Sequence, residues 1–151
     1  MQRSISNQKS ITPFIYIILF VIYESLSSVY LFLPPLLAVL SVLFIQALKK
    51  EDGTEIFMIS FCMLVFESQM GYTLFSTIIY FSLIYKFVLP KIEQSISCAS
   101  CIKISYSILA YIGFFVFSMI MSNIFLLPEP SINYYVIYYI VIEFLIVSIF
   151  L

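Results

Sequence analysis

The sequence predicts an all-α integral membrane protein with about six transmembrane helices in one bundle and both termini in the cytoplasm. Three observations predict this fold: the apolar composition, the lengths of the apolar stretches and the placement of the positive charges. Of the 151 residues, 63% are hydrophobic and 10% are charged, and the mean hydropathy is +1.12. Soluble domains carry about 25% charged residues, and a surface this apolar would aggregate in water.

The apolar stretches have the lengths of paired membrane crossings. One crossing takes about 20 residues, so the stretches 11–48 and 56–90 each predict two helices. Residues 24–28 and the pair Pro34-Pro35 interrupt the first stretch, and residues 67–71 interrupt the second. The serine-rich segment 91–103 is predicted to be a loop or to lie on the membrane surface. The whole chain, 1–151, then forms a single transmembrane domain with helices near 12–28, 31–48, 55–69, 72–89, 104–127 and 132–151.

Pro34 is a candidate structural residue at the start of the second helix. Proline lacks a backbone N–H, and the first turn of a helix has no use for one. We therefore expect Pro34 and Pro35 to occupy the first turn of a helix that begins near residue 31.

The positive charges test the helix count independently of hydropathy. With six crossings, all seven positive residues fall on one side of the membrane. The opposite turns contain Glu24, Glu67 and Glu129 and no lysine or arginine. Positive residues concentrate in cytoplasmic loops, so this pattern predicts that both termini lie in the cytoplasm. The positive residues are Arg3, Lys9, Lys49, Lys50, Lys86, Lys91 and Lys103.

Three acidic residues are candidates for function inside the membrane. Glu143 lies in the middle of the sixth helix, where an ionised acid costs about 2.5–3.5 kcal/mol on insertion scales. We expect it to join helices through a hydrogen bond to a tyrosine or to Asn123, while a proton path is the alternative. Glu24 and Glu67 are expected near helix ends where water solvates them, and Gly71 permits a tight reversal after Glu67.

The residues give no pattern typical of an enzyme. Histidine is absent, which removes the commonest general base and transition-metal ligand. Cys98-x-x-Cys101 is half of a zinc or redox motif, but a structural zinc site needs four ligands. No phosphate-binding loop, nucleophile–base pair or basic run for nucleic acid is present. The chain is therefore predicted to be non-enzymatic, without catalytic, cofactor-binding or metal-binding residues and without a cofactor.

Three segments, in order and spacing, resemble the rod shape-determining protein MreD family of small bacterial inner-membrane proteins. They are an aromatic-x-Pro opening to a leucine-rich helix at 32–40, a short polar turn at 49–53, and an acidic residue followed by a glycine turn at 63–74. The resemblance covers roughly residues 13–90. Glu67 stands where the family prefers aspartate, and Phe75 stands where a second glycine is usual. Beyond residue 104 only hydropathy matches.

The resemblance implies a non-enzymatic scaffold of the cell-elongation machinery, which controls cell shape and peptidoglycan synthesis. Its partners would be membrane lipid, an MreC-like protein, RodA with its transpeptidase partner and, indirectly, MreB, with Glu67, Gly71, Pro34 and Glu143 as structural or interaction residues. The fold of that family is similar to the substrate-binding subunits of energy-coupling-factor vitamin transporters. A subunit of that kind, binding a small molecule, is therefore one alternative. An ion-coupled carrier acting through Glu143 is another.

Overall fold

The computed structural model describes residues 6–128 and 133–150, with side chains from residue 13 onward. Within these ranges the chain is all-helical, with six continuous helices and no strand. Arg3, Glu129 and Leu151 of the predicted topology lie outside the described residues, as does the side chain of Lys9. The helices are α1, Ser6–Val29; α2, Leu37–Lys50; α3, Gly53–Met70; α4, Ser76–Leu83 continued by a π-helical turn Ile84–Val88 and by Leu89–Ser95; α5, Ala99–Ile108 continued by a π-helical turn Leu109–Gly113 and by Phe114–Phe125; and α6, Tyr135–Phe150.

Helix α2 forms the centre of the bundle. It packs against α3, α4, α5 and α6, while α1 packs against α3 on the outside. Leu37, Leu40 and Phe44 lie on its buried face together with Ala38, which is fully enclosed. The core continues into α3 through Met63 and Phe66, into α4 through Phe81 and into α5 through Phe114.

The two ends of the bundle differ in charge. One end, here called the lysine end, contains residues 46–55 and 91–103. There Lys49 pairs with Glu93, Lys50 pairs with Glu55, and all four side chains are exposed. The opposite end contains residues 30–37, 70–76, 126–128 and 133–136, and the sequence has no lysine or arginine in these segments.

Helix α2 begins at Leu37, six residues later than the sequence predicts. Pro34 and Pro35 lie in a buried irregular segment before the helix and not in its first turn. The residue before a proline is disfavoured in the α conformation. Leu33 and Pro34 both precede a proline and are therefore disfavoured in a helix. Leu36 has a left-handed backbone with φ of 55°, so α2 begins only at Leu37.

The segment 91–103, predicted to be a loop or to lie on the membrane surface, is mostly helical, so the loop alternative is wrong. Helix α4 continues to Ser95, and α5 begins at Ala99. Only residues 96–98 between them are irregular. The serines and cysteines here are short side chains that a helix end accommodates, so their polarity was a poor guide to backbone conformation.

Among the described residues, one helix is both long and apolar enough to cross a membrane by itself. It is Ala99–Phe125, which is 27 residues long and contains an 18-residue stretch with a mean hydropathy of 2.0, of which 28% is buried. Two shorter apolar helical stretches are Pro13–Val29 and Tyr135–Phe150. Large apolar side chains also lie exposed on the outer faces of α1, α3, α4, α5 and α6, for example Ile18, Phe57, Ile79, Val116 and Val141.

Candidate functional site

Glu67 closes the reversal between α3 and α4 at the end opposite the lysines. Its Oε2 accepts a hydrogen bond from the Phe75 backbone N–H at 2.7 Å. Its Oε1 accepts from the Thr77 N–H at 2.5 Å, the Thr77 hydroxyl at 2.7 Å and the Ser76 hydroxyl at 3.1 Å. The first N–H groups of a helix lack partners within the helix. The last residues of α3 therefore supply the N-terminal cap of α4, which has no cap of its own.

Two residues of this reversal have a left-handed backbone. Gly71 ends α3 with φ of 73°, and its N–H donates to the Glu67 carbonyl. Phe75 precedes α4 with φ of 68°. Glycine adopts this conformation without steric cost, whereas other residues pay for the contact of Cβ with the backbone. Phe75 thus has glycine-like geometry at the position where the family that the sequence resembles usually has a glycine.

Glu143 caps the start of α2 from a distant part of the chain. Its Oε2 accepts a hydrogen bond from the Ala38 N–H at 2.6 Å, and its Oε1 accepts one from the Tyr111 hydroxyl. Helix α2 has no side-chain cap from its own flanking residue, Leu36. One fully buried carboxyl therefore joins α6, α2 and α5. Asn123, the other partner considered from the sequence, is exposed.

Pro34 belongs to the same end of the bundle. Its carbonyl oxygen accepts a hydrogen bond from the Tyr23 hydroxyl at 2.8 Å. Two carbonyls that precede it in the chain also accept hydrogen bonds. The Ser27 hydroxyl donates to the Leu33 carbonyl at 3.0 Å, and the Tyr139 hydroxyl donates to the Leu31 carbonyl at 2.5 Å. Side chains of α1 and α6 thus satisfy the irregular backbone that leads into α2.

The expectation that water solvates Glu24 and Glu67 is wrong, since both side chains are fully buried. The Glu67 side chain is enclosed by the reversal between α3 and α4 and bonds to the start of α4. Glu24 faces into the bundle, and neither of its carboxyl oxygens has a hydrogen-bond partner among the described residues. It lies within electrostatic reach of Glu143 on α6 and of Cys62 on α3.

A cavity opens among the helix ends opposite the lysines. Its volume is about 340 Å³, which is within the range of about 300–1,000 Å³ typical of small-molecule sites. Most of its wall is apolar or aromatic, and Ser27, Ser28 and Asn133 contribute polar groups. Tyr111 connects the cavity to the interior, because it lines the wall and contacts Glu143.

The two cysteines of the Cys98-x-x-Cys101 motif lie at the start of α5, and both are exposed. A side-chain hydrogen bond from Cys101 lowers the pKa of the Cys98 thiol. Residues 13–128 and 133–150 contain no group of three or more metal-binding side chains. The motif therefore has no further ligands in the described part of the chain.

The sequence singled out the three acids, and its expectation of a tyrosine partner for Glu143 is confirmed by Tyr111. It did not show which tyrosine bonds to Glu143, nor that Ala38 and Thr77 donate to the glutamates. Ala38, Tyr111 and Thr77 are ordinary residues of apolar helices, and no spacing rule links them to a glutamate. One signal was present. Leu36 and Phe75 stand where a helix in an apolar setting needs a capping side chain such as Ser, Thr, Asp or Asn, and their lack of one predicts a remote acceptor.

In its described part, the chain is an all-α bundle in which one helix is long and apolar enough to cross a bilayer. Buried carboxyls cap two of its other helices. Comparison with protein-family models, curated proteins and solved structures finds no match. The resemblance to the MreD family therefore stays a prediction, and function has to be inferred from the geometry.

The reversal at Gly71 gives the first testable prediction. Gly71→Val forces a β-branched residue into left-handed backbone and should lower the free energy of unfolding in detergent by about 1–2 kcal/mol. Phe75→Gly removes the same kind of strain and should leave stability unchanged or slightly higher.

Gly53→Val is the matched control for the Gly71 variant. Gly53 does not have a positive φ, and a Cβ added there meets nothing within 4 Å. Equal losses of stability for Gly53→Val and Gly71→Val would contradict the assigned role of the reversal.

Proposed function

We propose that this chain is a multi-pass protein of a bacterial inner membrane, with six crossings and cytoplasmic termini, and that it acts as a non-enzymatic scaffold of cell elongation. The single observation that carries the scaffold role is the reversal at Glu67 and Gly71. These two residues carry the resemblance to the MreD family, and both have specific structural roles. An MreC-like protein and RodA with its transpeptidase partner are the proposed partners.

The membrane embedding is supported by the distribution of apolar surface. The helices that surround α2 have large apolar side chains on their outer faces, and such faces are stable only in lipid or against a partner. Among the described side chains, the lysines at 49, 50, 91 and 103 belong to one end of the bundle. That distribution agrees with the positive-inside rule.

The shortness of α2 is compatible with a membrane crossing. Fourteen residues give a helix of about 21 Å, whereas the hydrocarbon core is about 30 Å thick. Irregular backbone is tolerated at membrane depth only where protein surrounds it. Residues 33–36 fit this condition, because Pro34 and Pro35 are buried and because Tyr23 and Ser27 bond to the carbonyls of Pro34 and Leu33.

A second candidate function is a small-molecule-binding membrane subunit, for example of a vitamin transporter. The cavity of about 340 Å³ at the end opposite the lysines favours it. That end would face away from the cytoplasm in the proposed topology. No comparable observation favours an ion-coupled carrier that uses Glu143, because hydrogen bonds from Ala38 and Tyr111 occupy that carboxyl.

Reporter fusions test the topology. Fusions after Lys50, after Lys91 and at Leu151 should all report a cytoplasmic location, and fusions after Phe32 and after Leu74 should report the outer side. An outer signal at Lys50 or Lys91 would overturn the six-crossing topology. An outer signal at Leu151 alone would remove only the crossing by α6.

Depletion in the native bacterium tests the role. Cells should become round, and re-expression of the chain should restore their shape. Purification in mild detergent should recover an MreC-like protein or RodA. Normal cell shape, together with co-purification of an ATPase transporter module, would overturn the scaffold role in favour of the second candidate.

A further inference from the structure

The cavity opposite the lysines has an aromatic wall. Six rings from four parts of the fold line it: Phe66, Tyr72, Tyr111, Phe114, Phe115 and Tyr139. The ring of Tyr72 packs edge-on against Phe114 and stacks on Phe66, with centroids 5.1 Å and 5.9 Å apart. The electron-rich faces of such rings attract cations, and several rings together can surround a quaternary ammonium group.

Two buried acids lie behind this wall without lining the cavity themselves. Tyr111 has its ring in the cavity wall and its hydroxyl on Glu143. Glu24 lies one helical turn before Ser27 and Ser28, which line the cavity, and it is within electrostatic reach of Glu143 and Tyr111. Both acids are fully buried, and both oxygens of Glu24 lack a partner in the part of the chain that the structure describes.

Among the side chains that the structure describes, no cation balances these acids. None of the lysines at positions 49, 50, 86, 91 and 103 is buried, and the sequence has no lysine or arginine in the segments of this end. Buried polar groups without partners are costly. A ligand that brings a positive charge close to Glu24 would favour ionisation of this carboxyl and gain from it, whereas a neutral or anionic ligand would gain nothing from it.

We propose that this cavity binds an organic cation, an ammonium compound with an apolar or aromatic body. The body packs against Phe66, Tyr72 and Phe114, and the charged head lies toward Tyr111 and the two carboxyls. The aromatic wall and the unpartnered carboxyl of Glu24 favour this class over a neutral lipid chain. The inference deepens the second candidate function, on which it rests, and it does not depend on the scaffold role.

Binding of benzyltrimethylammonium tests the proposal. The purified full chain is placed in nanodiscs of phosphatidylcholine, and empty nanodiscs serve as the blank. Radiolabelled benzyltrimethylammonium should bind saturably, and the unlabelled cation should displace it. Neopentylbenzene, which has the same shape without the charge, should displace it at least tenfold less well.

The variant Glu24→Gln should weaken binding at least tenfold, because it removes the group that can ionise beside the cation but keeps the size of the side chain. Glu51→Gln is the matched control, since Glu51 is exposed at the lysine end. This variant should bind benzyltrimethylammonium with the affinity of the wild-type chain. Circular dichroism and gel filtration check the folding of both variants. If Glu24→Gln does not fold, the comparison of the two ligands on the wild-type chain decides alone.

Equal displacement by the neutral compound, or undiminished binding by a folded Glu24→Gln variant, would overturn the proposal. The cavity would then be a general apolar site, and the small-molecule function would survive with another ligand class. Absence of saturable binding by the cation would also overturn it. Recovery of cell-elongation partners, measured separately, would be unaffected by any of these results.

Discussion

The structure depends on the capping of two helices by glutamates from elsewhere in the chain. Helices α2 and α4 begin at the end opposite the lysines without a capping side chain of their own. In an apolar environment each free N–H costs several kcal/mol. Glu143 satisfies the N–H of Ala38, and Glu67 satisfies the N–H groups of Phe75 and Thr77. A carboxylate is also the group that a helix N-terminus attracts most strongly.

These two contacts organise the rest of the site. Glu143 joins α6 to α2 and, through Tyr111, to α5, and the cavity lies directly beside this junction. The lysine end follows a different rule, because Asp52 caps α3 locally by accepting from Thr54 and Glu55, with all three residues exposed. Local caps are sufficient where water is available. Remote caps occur where it is not, which agrees with the proposed embedding in lipid.

The sequence predicts the helices better than it predicts their connections. Apolar runs and the polar turn before Gly53 place all six helices, because hydropathy depends only on local composition. The start of α2 was predicted six residues early, because two consecutive prolines restrict the residues before them and not only themselves. Glu24 was placed in water, since no local pattern shows which face of α1 turns inward. The partners of Glu143 lie 105 residues away and 32 residues away, beyond any spacing rule.

Amide hydrogen exchange at the two helix starts tests remote capping most directly. With the chain in nanodiscs, Glu143→Ala should speed exchange at residues 37–40 and leave residues 75–78 protected. Glu67→Ala should show the reverse pattern. Exchange that rises equally at both sites, or at neither, would contradict the claim that each glutamate holds one particular helix start.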